Sequence, residues 1–256
     1  HDKAIRMEKL ASAIAPQMPS ANLKAASRAA RLAKADLVTG MVGEFPELQG
    51  IMGGYYAAAS GEDKAVCDAI TAHYRPQGPA DDLPATPEAM VVALADKIDT
   101  LVGFFGIDAK PTGSKDPFAL RRAALGVIRI IVDGQLAIPL GKILQVAASG
   151  YGFVEVDADL LPFIRDRLRG YLRDQKMRHD VVAAALADDD GDDITDAAGF
   201  RVGREGELTR TGGEPKRLRR EWTGQGEKPA DETEFHDGLK TDNRAVFTGH
   251  LGGEFT

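Results

Sequence analysis

The sequence predicts an all-α protein. Apolar residues recur at helical spacing through most of the first 190 positions, while the strict alternation of a half-buried strand is scarce. A cap residue followed at once by proline, the signal of a helix start, occurs at Thr86-Pro87 and again at Asp116-Pro117.

Ile5, Leu10 and Ile14 mark a first helix that Pro16 and Pro19 end. Ser20 is then placed to cap a second, whose stripe of Leu23, Ala26, Ala30, Ala33, Leu37 and Met41 predicts a continuous helix to about residue 41. Leu48, Ile51, Met52 and Tyr55 continue the pattern, and a shorter helical stretch runs from Asp63 to Tyr74. After a Pro-, Gly- and Asp-rich loop from Arg75 to Ala85, Thr86 opens a long helix. Its stripe is Val91, Leu94, Ala95, Ile98, Leu101, Val102 and Phe105, with Asp96 and Asp99 beside it and Gly106 at its end. Leu125, Ile128, Ile131 and Val132 mark another helix before the Asp133-Gly134 turn. Two more stretches are expected around 138–149 and 158–175. From the run Asp188, Asp189, Asp190, Asp192 and Asp193 onward, glycine, charge and threonine replace the apolar stripes, which predicts an irregular or disordered tail.

With 256 residues, 43% of them hydrophobic, the chain is long enough to bury a substantial core. A single cysteine, Cys67, excludes an internal disulfide and a thiolate zinc cluster, which points to a reducing, cytoplasmic setting. No apolar run approaches the roughly 20 residues that span a bilayer, so no membrane association is expected. The net charge of −7 argues against indiscriminate wrapping of nucleic acid, yet leaves room for a local basic surface. No zinc finger or other DNA-reading motif and no internal repeat is present, and DNA is not an expected partner. The chain opens on His1, Asp2 and Lys3 without an initiator Met and is read as a fragment.

Candidate binding residues are basic. Arg165, Arg169 and Arg173 recur every four residues on the last predicted helix, a ridge that suits a phosphate backbone; a solvated face paired with Asp166 and Asp174 is the equal alternative. The loop Lys110-Pro111-Thr112-Gly113-Ser114-Lys115-Asp116 precedes a helix start, but it lacks P-loop spacing, and Asp116 at the cap would repel phosphate. Arg121 and Arg122 diverge by roughly 100° around their helix, so they do not both face one partner. Internal pairing, for example with Asp116, and RNA contact are both open to them. Lys216, Arg217, Arg219 and Arg220 beside Trp222 combine charge with a stacking surface.

The stretch Ala33–Gly53, AKADLVTGMVGEFPELQGIMG, resembles the β subunit of bacterial glycyl-tRNA synthetase. ALADKIDTLVGFFGI and PTGSKDPFALRRAALGVIRI, with Asp81-Asp82-Leu83-Pro84 between the first block and these two, extend the resemblance from about His1 to about Ala187. It implies an HD-domain-like helical array over 1–110, truncated at its N-terminus, then a helical segment over 111–187 leading towards an anticodon-binding region. Residues 188–256 are left as an acidic linker and an atypical tail. It further implies an α2β2 enzyme in which the α subunit, holding ATP and Mg, activates glycine while the β subunit supplies surface for glycine tRNA and for assembly. No catalytic residue and no cofactor are then expected in this chain, and Arg165, Arg169, Arg173, Lys115, Arg121 and Arg122 become its candidate tRNA contacts.

A working HD site holds a divalent metal with histidines and aspartates. His1 falls at the first ligand position and Asp96 at the last, but the central His-Asp pair reads Ala35-Asp36. The set is degenerate, and Asp36 and Asp96 are expected to be solvated or paired with Lys34 or Lys97. Two competing readings remain: an HD-type phosphohydrolase acting on nucleotides, and a structural module that binds only the α subunit.

Overall fold

The computed structural model describes residues 1–176 and two three-residue segments, 200–202 and 208–210. Residues 1–199 form one compact unit and 200–256 a second. Within the first unit the described residues fold as nine α-helices with short 3-10 turns: α1 Asp2–Ile14, α2 Leu23–Leu32, α3 Gly40–Glu44, α4 Ile51–Ala59, α5 Lys64–Ala72, α6 Pro87–Gly106, α7 Leu120–Val132, α8 Leu140–Tyr151 and α9 Leu160–Asp174. Within the second, Phe200–Val202 and Leu208–Arg210 pair as an antiparallel ladder, which the tail expected from composition does not include. The acidic run after Asp188 and the Lys216–Trp222 cluster lie outside the described residues.

Helix α6 is the axis of the array, packing against α1, α2, α5, α7, α8 and α9. Thr86 Oγ1 accepts from Ala89 N at 3.3 Å, the cap its sequence predicts, and every residue of the predicted stripe is buried. Burial extends further around the helix than one stripe, taking in Val92, Ala93, Asp96, Lys97 and Asp99. A helix enclosed on nearly all sides forces each polar side chain it carries to find a partner, and these partners make the candidate site.

The second predicted helix is broken. Asn22, not Ser20, caps α2, its side chain accepting from Ala25 N at 3.2 Å, and the helix ends at Leu32. The chain then makes a 3-10 turn, Ala35–Val38, and restarts at α3, where Thr39 Oγ1 accepts from Val42 N. Two polar anchors draw it off the helical path: Lys34 is held by Asp96, and Asp36 turns inward to cap α4. Leu37 and Met41, assigned to the buried stripe, are exposed in consequence. In α4 the inward face is Gly53, Gly54 and Ala57, leaving Ile51 and Tyr55 exposed, because a Cβ on Gly53 would lie 2.8 Å from Ile70 Cγ2. Small residues, not large ones, let α4 approach α5.

Helix α7 starts at Leu120, later than Asp116-Pro117 implies. Asp116 caps it nonetheless, its two carboxylate oxygens accepting from Leu120 N at 2.8 Å and Arg121 N at 3.0 Å. Gly152, in the left-handed region at φ 81°, ends α8. The next residue, Phe153, packs where a Cβ on Gly106 would stand 2.1 Å from its ring. No helix among the described residues is long and apolar enough to cross a membrane.

Candidate functional site

The polar residues of α6 face a matched set from α1. Lys3 and Arg6 are three apart on α1, and Asp96 and Asp99 are three apart on α6, so each pair occupies one helix face and the two faces meet. Arg6 grips Asp99 with two bonds, Nε to Oδ1 at 2.7 Å and Nη2 to Oδ2 at 3.2 Å, and the Tyr151 hydroxyl donates to Asp99 Oδ2 at 3.0 Å. Lys3 Nζ bridges the two carboxylates, 3.1 Å from Asp96 Oδ1 and 3.3 Å from Asp99 Oδ2.

Asp96 also meets Lys34, whose ammonium lies 3.1 Å from the same Oδ1. Lys34 sits over the Tyr74 ring at 3.7 Å and bonds His73 Nε2 at 2.8 Å. His73 Nδ1 is 2.5 Å from the Ile70 carbonyl, so Nδ1 carries the proton and Nε2 accepts from the ammonium. Burial, reinforced by Lys34, pushes His73 down to about 3 and keeps it neutral. Burial alone would raise the Asp96 carboxyl, but Lys34 and Lys3 outweigh it and hold Asp96 below the usual carboxylate range. Lys97, beside them on α6, donates to the carbonyls of Tyr74 and Arg75 at 3.1 and 3.0 Å.

Asp36 is 1% exposed and serves a different purpose. Its Oδ2 accepts from Gly50 N at 2.6 Å and Gly53 N at 3.1 Å, satisfying the first amides of α4 from outside that helix. Asp36 Oδ1 is buried without a hydrogen bond.

These residues do not fit the divalent metal that the HD resemblance brings to mind. His1 is exposed at the chain start, Asp36 is spent on amides, and two ammoniums crowd the Asp96 oxygen a cation would need. One free carboxylate oxygen on Asp36 is not a donor set. Among the described residues no group of three His, Cys, Asp or Glu side chains is arranged to hold a metal. Of the expected pairings of Asp36 and Asp96 with Lys34 or Lys97, the structure contains Asp96 with Lys34; Asp36 bonds backbone amides and Lys97 backbone carbonyls instead, and neither aspartate is solvated, since both are buried.

Burial pushes the Lys34 and Lys97 ammoniums down to about 8 from the ordinary 10.5, against the attraction of Asp96. The unfolded chain therefore holds more protons than the folded one between about pH 8 and 10.5, and stability must rise with pH across that window. Each lysine contributes a slope of at most about 1.4 kcal/mol per pH unit. Above pH 10 the trend is opposed by Tyr151 and Tyr171, whose phenols burial raises to about 12. Urea denaturation at pH 7.5, 8.5 and 9.5 is expected to show rising midpoints, and Lys34→Met to flatten the rise; falling midpoints would contradict the buried-ammonium account.

The basic candidates lie away from this cluster. On α9, Arg169 and Arg173 are exposed while Arg165 is half-buried beside the core positions Ile164 and Leu168. Arg169 Nη1 is 3.8 Å from Asp166, one of the pairings expected for the ridge, and Arg167, outside the ridge, holds the same carboxylate at 2.5 Å. Lys115 and Arg122 are exposed near the start of α7. Arg121 donates from Nη2 to the Gly113 carbonyl at 2.6 Å and closes the loop that precedes α7. Its internal partner is thus a carbonyl and not Asp116, whose oxygens are taken by the helix amides. Lys110 is held by Asp159 at 2.7 Å and Asp157 at 3.0 Å, which removes it from any phosphate cradle.

Sequence reasoning missed Lys3, Arg6, His73 and Tyr151. The equal i, i+3 spacing of Lys3/Arg6 and Asp96/Asp99 is a signal that could have found the first two; nothing local marks His73 or Tyr151.

The family model described as glycyl-tRNA synthetase beta subunit matches residues 1–187. A glycine–tRNA ligase beta subunit from Phenylobacterium zucineum is 56% identical over 195 residues, covering 74% of this chain and 27% of that protein. One from Ruegeria sp. is 52% identical over 190 residues, with 74% and 27% covered, and one from Cereibacter sphaeroides 51% over 201, with 76% and 29%. The chain therefore spans just over a quarter of the length of these relatives. With a match over 187 contiguous residues and more than half of the aligned positions identical, the chain belongs to the glycyl-tRNA synthetase beta subunit family.

Proposed function

We propose that this chain is the part of a glycine–tRNA ligase beta subunit that supplies tRNA-binding and assembly surface, in the cytoplasm, for ATP-dependent glycylation carried out in an α subunit. The observation that carries this reading is the family match over residues 1–187. The buried cluster supports it: its acidic groups are neutralised by lysines, which suits an architectural pocket and not a hydrolytic one. The complex is α2β2, ATP and Mg belong to the α subunit, and this chain binds neither.

In this reading residues 1–110 are an HD-like array whose ligand positions have been given over to packing, 111–187 lead towards an anticodon-binding region, and 188–256 are linker and tail. The order of the degenerate positions, His1 before α1, Asp36 after α2 and Asp96 within α6, supports the relationship.

The tRNA contacts are Arg169 and Arg173 foremost, because both are exposed, with Arg165 flanking them and Lys115, Arg121 and Arg122 as a second group. Phosphate contacts displace condensed counterions, so binding weakens as salt rises. The test is an Arg165, Arg169 and Arg173 triple glutamate variant of this chain, mixed with a matching α subunit and titrated with glycine tRNA over a salt series. The expected result is affinity at least about tenfold weaker, and a plot of log K against log salt shallower by about two to three. Unchanged affinity and slope would make α9 a solvated face only.

A further inference from the structure

Seven of the twelve large apolar side chains exposed among the described residues fall between 37 and 56, so their exposure is concentrated and not scattered. Val38 is 90% exposed and Tyr55 68%, accompanied by Leu37, Met41, Phe45 and Ile51. The 3-10 turn Ala35–Val38, α3 and α4, which with Phe45 carry them, are neighbours in the fold, α3 and α4 each packing against that turn.

The face is also held in place. Asp36 joins the first turn to α4 through the amides of Gly50 and Gly53, and Thr39 Oγ1 donates to the Asp36 carbonyl at 2.7 Å while capping α3. Side chains shown on a hydrogen-bonded platform lose little conformational freedom on binding, the condition under which exposed apolar groups yield affinity.

Its charge narrows the occupant. From Ala35 to Asp63 there is no Lys, Arg or His, while Glu44 and Glu47 are exposed among the apolar groups. Phosphate and anionic lipid would be repelled. A symmetric second copy would set these glutamates against their own counterparts, an unfavourable juxtaposition. What fits is a protein surface with an apolar centre and a Lys- or Arg-bearing margin.

We propose that the face built by residues 37–56 docks on such a surface of the α subunit, leaving the basic residues of α7 and α9 for tRNA. This rests on the function proposed above. The molecule then separates its two partners chemically, an apolar and acidic face for protein and a basic one for RNA.

The test uses two double variants, Val38→Gln with Tyr55→Gln, and Glu44→Gln with Glu47→Gln. All four side chains are exposed, so folding is expected to be unaffected, and circular dichroism checks this. Binding of purified α subunit and of glycine tRNA is measured separately for this chain, alongside hydrogen exchange over 37–56. The expected result is α affinity about 30-fold weaker for the first pair, a reduced salt dependence of α binding for the second, tRNA affinity within about twofold for the first, and protection of 37–56 by α alone. Wild-type α affinity in the Val38/Tyr55 variant overturns the proposal while leaving the synthetase reading intact. Protection by tRNA and not by α, or loss of a self-association detected by sedimentation, overturns it in favour of RNA or a second copy. Failure of the unmodified chain to bind either α or tRNA is the distinct pattern that would sink the function itself.

Discussion

Asp96→Ala is expected to destabilise the chain by about 3 to 5 kcal/mol, the range for breaking a buried ion pair from one side. The alanine leaves the Lys3 and Lys34 ammoniums facing each other in a pocket where Asp96 was the shared counter-charge. His73 is no remedy, because its neutral Nε2 offers Lys34 one hydrogen bond and no charge. Lys34→Met should cost less than Asp96→Ala, since it removes a buried ammonium along with the pairing, and Lys3 still balances Asp96. In the Asp96→Ala background the same Lys34 change should recover stability. Urea unfolding of the two single variants and the double variant checks the sign of this coupling. A loss below about 1 kcal/mol for Asp96→Ala would mean that water reaches the pocket and the pair counts as a surface bridge.

Asp36→Ala is expected to cost about 3 kcal/mol, and to act locally before it acts globally. It strips two amides, Gly50 N and Gly53 N, of their acceptor at a helix start that has no other side-chain cap. The effect should appear first as faster hydrogen exchange in α3 and α4, with α6 and α7 unchanged. Asp36→Asn, which keeps an acceptor oxygen but loses the charge, should cost about 1 kcal/mol. Equal losses in both variants would show that Asp36 matters through its charge and not through its bonds to α4. If α4 exchange is unaltered in Asp36→Ala, the cap contributes nothing to holding the 37–56 face.

Much of the fold is legible in the sequence because strong local signals and tertiary packing agree. The cap of α6 by Thr86 and its stripe from Val91 to Phe105 follow from periodicity and capping, and α8 and α9 lie where helical stretches are expected. The segment from 33 to 56 misleads for the opposite reason. Leu37 and Met41 continue a helical period, but the demand of buried Asp96 for Lys34, and of the α4 amides for Asp36, outweighs the helix propensity of the intervening residues. Tertiary polar contacts of that kind leave no periodic trace, and neither does the use of Gly53 and Gly54 as an inward face. The candidate site is legible by half: family motifs point to Asp36 and Asp96, and Lys34 is named among their expected partners, while the second ammonium on Asp96 comes from Lys3, far from it along the chain, and His73 behind Lys34 carries no local signal.

The Lys34 and Lys3 ammoniums have one property that a bound ion lacks: they are attached to the backbone. A free cation leaves when its concentration falls, whereas a tethered one keeps a high effective concentration at its carboxylate whatever the medium contains. The charge balance at Asp96 is therefore written into the chain itself, and chelator or dialysis should not disturb it. The helices that converge on this point need no added ion to neutralise Asp96.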